Sequence, residues 1–372
     1  MKKAFRLLAA LLAALVLLSG CDLSSVAPES QNGEAAKRPN IIENYDLKLF
    51  LLEKDDLSKE NLFALYHAIA NFEATCYLPY PMPQTQVQNL LSLLCYECPE
   101  LFQIDLTQPT SYHSYEGDNE VIAVDFPYCM DKATYDGLLS KTKQTLKQFD
   151  TAGMTLLEAE KYIYDILCQQ IIYNTSSAHC ANVYGALVEG QAKCDGIAKA
   201  MKWALEQAGF PCMCVDGQPY DGGIGHAWNI IPVDGHYYHL DLTADVQSES
   251  RHEPLYPGYN ISADFMLSVY APSPCFTIPA EQSMDASYHA LNGNYLPSGA
   301  NWKSTLKKLF KDAHKKNGTF TVQFASEEDF QSCKSSLESL FREAAREAGI
   351  THWSWTTAYV NQYHLMSVRV QK

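Results

Sequence analysis

The stretch Tyr184-Gly-Ala-Leu-Val-Glu-Gly-Gln-Ala-Lys-Cys194-Asp-Gly-Ile-Ala-Lys-Ala-Met-Lys-Trp-Ala-Leu-Glu-Gln-Ala-Gly209 decides how this chain is read. From Ile197 the apolar residues recur at helical spacing (Ile197, Ala200, Met201, Ala204, Leu205, Ala208), and Gly209 followed by Pro211 ends the pattern. Cys194 therefore stands at a helix N-terminus. Unpaired backbone N–H groups and the positive end of the helix dipole favour a thiolate there. A thiolate is a nucleophile, and it needs an imidazole to take the thiol proton and a third group to hold that imidazole in one tautomer.

Both partners stand downstream. A strand predicted from Cys212 to Val215 leads through a Gly- and Asp-rich loop to a second strand from His226 to Pro232. Asp234-Gly235 is a two-residue hairpin turn, and the return strand runs from His236 to Leu242. With Val233 opposite His236, position 243 faces His226 and Asp241 is its diagonal neighbour, within side-chain reach. Cys194, His226 and Asp241 are the candidate nucleophile, base and orienter. His236, His239 and Asp241 are not read as metal ligands, because strand alternation splits them across two faces. Trp228 reads as core or cleft wall.

These residues resemble the transglutaminase-like superfamily, whose core is of the papain type. The likeness runs from Val183 to Asp245 and rests on Tyr-Gly-Ala-Leu-x-x-Gly-x-x-x-Cys-x-Gly-x-Ala-x-Ala (Tyr184 to Ala200), Gly-His-Ala-Trp-Asn (Gly225 to Asn229) and Asp-Gly-x-Tyr-Tyr-His-x-Asp-x-Thr (Asp234 to Thr243). A weaker likeness extends to Tyr164, Tyr173 and the Tyr259-Asn-Ile-Ser-Ala-Asp264 segment. The resemblance implies an α+β fold, with the Cys-bearing helix packed on an antiparallel sheet. It also implies Cys194, His226 and Asp241 as the catalytic triad. An oxyanion site would need the Cys194 N–H and a second donor, for which Gln191 and Tyr184 are candidates. The chain departs from the family at Ile197, where Tyr or Phe is common, and at Ala244, where Trp is common; both bear on the cleft wall.

Outward from this core, the N-terminus is a short basic segment (Met1 to Arg6) followed by an apolar run from Leu7 to Leu18. That run is too short to span a bilayer and suits a signal peptide. It ends in Leu18-Ser19-Gly20-Cys21, which resembles a bacterial lipobox in which Cys21 is lipidated. The rival reading is an ordinary secretory signal with an incidental Cys. Residues 22–40, rich in Ser, Glu, Asn, Ala and Pro, read as a flexible tether. The expected location is the extracytoplasmic face of the cell membrane, anchored by lipid.

Beyond the tether, residues 41–150 read as an N-terminal α+β region. It has helices over Ser58–Tyr77, Gln84–Tyr96 and Asp131–Phe149, a break at Pro79–Pro83, and strands over Ser111–Tyr115 and Val121–Tyr128. The catalytic core is placed at 151–270. It opens with an amphipathic helix from Thr155, with Glu158 completing a capping box. A C-terminal extension (271–372) ends in a small α+β module: helix Asn301–Lys316, strand Thr319–Phe324, helix Glu327–Gly349 and strand Ala358–Val370.

The whole chain of 372 residues is acidic, with a formal charge of −15. Its 47% hydrophobic and 19% charged residues describe a globular protein. No basic run or stripe is visible, which argues against nucleic acid as a partner. Of twelve cysteines, Cys95-Tyr-Glu-Cys98 is a lone C-x-x-C without the second pair a zinc site needs. Most of the others read as buried small apolar residues. No cofactor is implied, and no calcium-loop pattern is found. The expected activity is a cysteine-dependent peptidase, amidase or acyl transferase. It would act through a thioester on an extracellular protein or cell-wall peptide. The alternative is an inactive member of the same fold serving as a surface binding protein.

Overall fold

The computed structural model describes residues 42–117, 119–248, 253–280 and 283–372. The signal segment, Cys21 and the whole tether lie outside the described residues. The chain divides into two compact units, one running to Lys143 with Pro274–Thr277, the other comprising Gln144–Ser273 and Ile278–Lys372. Among the described residues no helix is long and apolar enough to cross a membrane.

The first unit is α+β. Helix α1 (Asp56–Ala70) is capped by Asp55, whose side chain accepts from the Ser58 N–H; Ser58, the expected start, sits inside the first turn. The expected extension of this helix to Tyr77 fails, because the chain turns into strand β1 (Thr75–Pro83). Pro79 and Pro81 lie within that strand rather than in a break. They are tolerated because β1 is an edge strand, in the order β1-β3-β2, and its register shifts between Tyr77 and Met82. Helix α2 (Gln84–Glu97), strands β2 (Ser111–Ser114) and β3 (Glu120–Asp125), and helix α3 (Lys132–Leu146) follow near their expected positions.

The second unit opens with α4 (Leu156–Gln170). Its capping box is formed: Thr155 N–H donates to Glu158 Oε2 and Glu158 N–H to Thr155 Oγ1. Two short parallel strands, β4 (Ile172–Tyr173) and β5 (Gln191–Ala192), lead into helix α5 (Cys194–Gln207). Five antiparallel strands form the central sheet in the order β10-β6-β7-β8-β9: β6 (Met213–Pro219), β7 (His226–Val233), β8 (His236–Asp241), β9 (Gly258–Ile261) and β10 (Tyr270–Pro272). Asp234 and Gly235 both take positive φ (51° and 85°), the conformation a two-residue primed turn requires. That turn sets Val233 opposite His236 and Asn229 opposite Leu240.

The C-terminal part packs two helices on a four-stranded sheet of order β11-β12-β14-β13: β11 (Tyr295–Leu296), α6 (Trp302–Lys316), β12 (Thr319–Phe324), α7 (Glu327–Glu347), β13 (Ser354–Val360) and β14 (Leu365–Gln371). Leu306, Phe310, Phe330, Leu337, Phe341 and Val368 are among its buried apolar residues. The single strand expected over Ala358–Val370 is in fact the greater part of a hairpin, broken by a turn over Asn361–Tyr363 with His364 at φ 47°. No Gly or Pro marks that turn, so the apolar alternation on either side reads as one strand. The expectation of no basic stripe also fails. Lys303, Lys307, Lys308, Lys311 and Lys315 line one groove along α6. Four-residue spacing hides the stripe in the sequence and gathers it on the helix. Part of it is neutralised, since Lys307 pairs with Glu343 and Glu347 and Lys311 with Glu347.

Candidate active site

Cys194 is the first residue of α5, preceded by Lys193 in an extended conformation. The start of this helix is pressed against the loop before it. A Cβ on Gly196 would stand 2.5 Å from the Cys180 carbonyl oxygen and 3.0 Å from that of Asn182, which is why the position after Cys-Asp is glycine. The Lys193 N–H also donates to the Cys180 carbonyl (2.9 Å), closing the loop against the helix entry. Asn229 fixes α5 to the sheet: its Nδ2 donates to Ala198 O (2.9 Å) on the helix and to Met213 O (3.3 Å) on β6. Asn229 lies three residues after His226 on the same strand, so one short segment holds both the helix and the imidazole.

The structure brings Cys194, His226 and Asp241 together. His226 Nε2 and Asp241 Oδ2 are 2.7 Å apart, and Cys194 is close enough to His226 to act on its charge. With Nε2 donating to the carboxylate, Nδ1 is the ring nitrogen left for the thiol. Cys194 is 7% exposed, Asp241 3% and the His226 side chain 13%, so the whole set is desolvated with the imidazole the most open. Burial by itself would lower the His226 pKa. The Asp241 charge and the hydrogen bonds to Asp241 and Cys194 outweigh it and carry the pKa up to about 10. Burial would raise the Asp241 carboxyl. The His226 charge and the bonds from His226, Tyr363 and the Thr243 N–H hold it below the usual carboxylate value instead.

Two aromatic residues of the site were missed in the sequence. Tyr363, in the C-terminal hairpin turn, donates its hydroxyl to Asp241 Oδ2. Tyr270 on β10 stacks on the His226 ring at 5.1 Å, on a strand that falls in a stretch without periodicity. Its phenol is pushed up to about 12 by burial and then by the charges of Asp241 and Cys194. Tyr173 also feels Cys194, after burial, and its phenol is raised. Trp228 is buried beside His226, with rings 6.1 Å apart, and donates its indole N–H to His239 Nδ1 (2.9 Å). His239 is wholly buried and its pKa is lowered to about 3 by that burial, so it is a neutral acceptor in the core. Among the described residues no cluster of His, Cys, Asp and Glu could hold a metal ion. Most of the eleven described cysteines are buried.

The oxyanion candidates lie close in sequence but differ in setting. Gln191 is exposed on β5, and its Oε1 accepts from Asn174 Nδ2 (2.7 Å). Tyr184 is buried, with its ring edge-on to His179 at 5.2 Å.

The unit that carries these residues contains an α+β transglutaminase-like domain. Residues 143–242 match the family model of the Transglutaminase-like superfamily. Among solved structures the chain is similar to one described as a TGase, with a TM-score of 0.27 and 11% identity over 45% of this chain and 50% of that one. It is also similar to one described as a candidate cysteine protease from Cytophaga hutchinsonii, with a TM-score of 0.24 and 13% identity over 36% of this chain and 61% of that one. The chain thus spans half the length of the first and about three fifths of the second. No curated protein matches it.

Proposed function

We propose that this protein is a cysteine-dependent amide-bond enzyme working through a thioester. The carrying observation is the His226 ring bonded to the buried Asp241 carboxylate and acted on by the Cys194 side chain at the start of α5. His226 holds the thiol's proton as an imidazolium, and the Cys194 thiolate attacks the amide carbonyl carbon. The resulting oxyanion is met by the Cys194 backbone N–H, with Gln191 and Tyr184 the candidates for a second donor. The C–N bond then breaks, and His226 returns the proton to the departing amine. A thioester on Cys194 is left. Water, losing its proton to His226, attacks that thioester to release a carboxylic acid and restore the thiol. If an amine replaces water the product is a transamidated amide; hydrolysis is the reading favoured here, because water is the more abundant acceptor. Asp241 stays ionised throughout and keeps the Nε2–H tautomer.

The substrate in this proposal is an extracellular protein or cell-wall peptide, and the enzyme is held at the outer face of the cell membrane by lipid on Cys21. That part is supported by the basic, apolar and Leu-Ser-Gly-Cys segments alone. Turnover of a model peptide amide that vanishes in Cys194→Ala is the expected result, and turnover that survives the substitution defeats the proposal. Incorporation of a clickable fatty-acid analogue, lost in Cys21→Ala, is the corresponding check on the anchor.

A further inference from the structure

We propose that Tyr363 is a positioning residue for the cysteine site, and that the C-terminal module delivers its hydroxyl to the Asp241 carboxylate. This rests on the reading that Cys194, His226 and Asp241 act together. Asp241 is buried, and a buried carboxylate is tolerated only when its lone pairs are met by donors. Thr243 N–H donates to Oδ1 (3.0 Å), while Oδ2 receives both His226 Nε2 and the Tyr363 hydroxyl. One donor on Oδ1 and two on Oδ2 leave the carboxylate no rotation that keeps all three. The plane of the carboxylate, and through it the tilt of the imidazole toward Cys194, is set before any substrate arrives.

The hydroxyl is itself aimed. Gln362 Nε2 donates to the Tyr363 oxygen (3.2 Å), which leaves the phenolic proton for Asp241. Burial, and then the Asp241 charge, hold the phenol well above its ordinary pKa, so it remains a donor. The backbone at the turn is anchored too. Gln323 Nε2 on β12 donates both to Tyr363 O (3.1 Å) and to Pro257 O (3.0 Å) just before β9, and Phe324 N–H donates to His364 O (3.0 Å). A phenylalanine would fill the same 1%-exposed space. What the hydroxyl adds is the bond to the carboxylate, and the apolar packing of the module does not require it.

The test compares the full-length wild type with Tyr363→Phe. Two things are measured: the rate of iodoacetamide capture at Cys194 against pH, read by mass spectrometry, and kcat and KM on a model amide. The titratable groups facing Asp241 are His226 and, through it, Cys194, with Tyr270, Tyr363, Tyr164 and Asp245 on the neighbouring elements. Losing a donor makes the Asp241 carboxyl easier to protonate. The acid limb of the capture profile should therefore move to higher pH, by roughly half to one pH unit, with kcat down about tenfold and KM unchanged. Val368→Ala, which loosens the module's interior without touching Asp241, should lower the melting temperature and leave the acid limb in place. Should Tyr363→Phe not fold, Gln362→Ala decides, with a smaller shift in the same direction. An acid limb identical to wild type in the folded variants, or an equal shift in Val368→Ala, overturns the assignment. If the wild type captures iodoacetamide in a His226-dependent way yet cleaves no amide, the proposed activity fails, while the role of Tyr363 is still decided by the acid limb alone.

Discussion

Two regions of the second unit reach the same carboxylate by different routes. The segment from Cys194 to Asp241 carries the thiol, the imidazole and the acid within one helix and one hairpin, joined by Asn229 and by a turn that fixes register locally. The C-terminal module, Tyr295 to Gln371, is built around its own apolar interior and sends in one side chain from a hairpin turn, 122 residues beyond the group it touches. The first region places chemistry through short-range geometry. The second places it by how a finished sheet lies against its neighbour. The contrast explains why a motif reader finds Cys194, His226 and Asp241 and passes over Tyr363.

The widest separation between the regions should come from Asp241→Asn. It keeps the shape but supports the wrong imidazole tautomer, so kcat should fall roughly 10³–10⁴-fold, as stopped or steady-state turnover would show. A loss no larger than that of Tyr363→Phe would mean the two regions contribute alike, and the comparison would break. The same ion pair sets a pH dependence of stability. His226 is raised from 6.5 to about 10, so its contribution is complete below pH 6.5 and is lost as pH climbs toward 10. Asp241 is lowered from 3.8, so its contribution holds above that value and is lost as pH falls further. Thermal melts from pH 5 to 10 should show wild type losing its advantage over Asp241→Asn across that range; a constant gap would count against the pairing.

In the module, Leu337→Ala should cost about 2–5 kcal/mol of stability through the cavity it leaves. At temperatures where the variant is fully folded, kcat should match wild type, since the interior is remote from the carboxylate. A kcat loss in the folded variant would make the module's packing part of the site and blur the distinction. Gly196→Ala should cost about 1–3 kcal/mol, because the new Cβ meets the Cys180 carbonyl and the start of α5 must move. Unlike Leu337→Ala, it should depress iodoacetamide capture at Cys194 even when folded. The smallest effect is expected at the hairpin turn. Gly235→Ala, at φ 85°, should cost about 1 kcal/mol by chemical denaturation and little activity.

Much of this was legible along the chain. The 3.6-residue pattern after Ile197 and the Gly209 stop place α5 where it is, with Cys194 opening it. Asp234-Gly235 imposes a two-residue turn, and period-two alternation then carries His226 to Asp241. Thr155 and Glu158 announce a capping box that forms. Elsewhere a local signal is absent or outvoted. The turn at Asn361–Tyr363 lacks Gly and Pro, so the sequence there has the pattern of one continuous strand. The prolines of β1 suggested a break, but an edge strand accommodates them. The lysines of α6 are scattered in sequence and collect only on the helix surface.

What the sequence determined by itself is what periodicity and turn chemistry encode over a few residues: which segments are helix or strand, which residue begins α5, and which two side chains share one side of a hairpin. Only the tertiary structure decided that Tyr270 would lie on the His226 ring and that Tyr363 would complete the hydrogen bonding of Asp241. The reason is physical. A contact across 122 residues is selected by the summed burial of two surfaces and by the need of one buried carboxylate for another donor, and neither quantity is written in the spacing of the residues that meet.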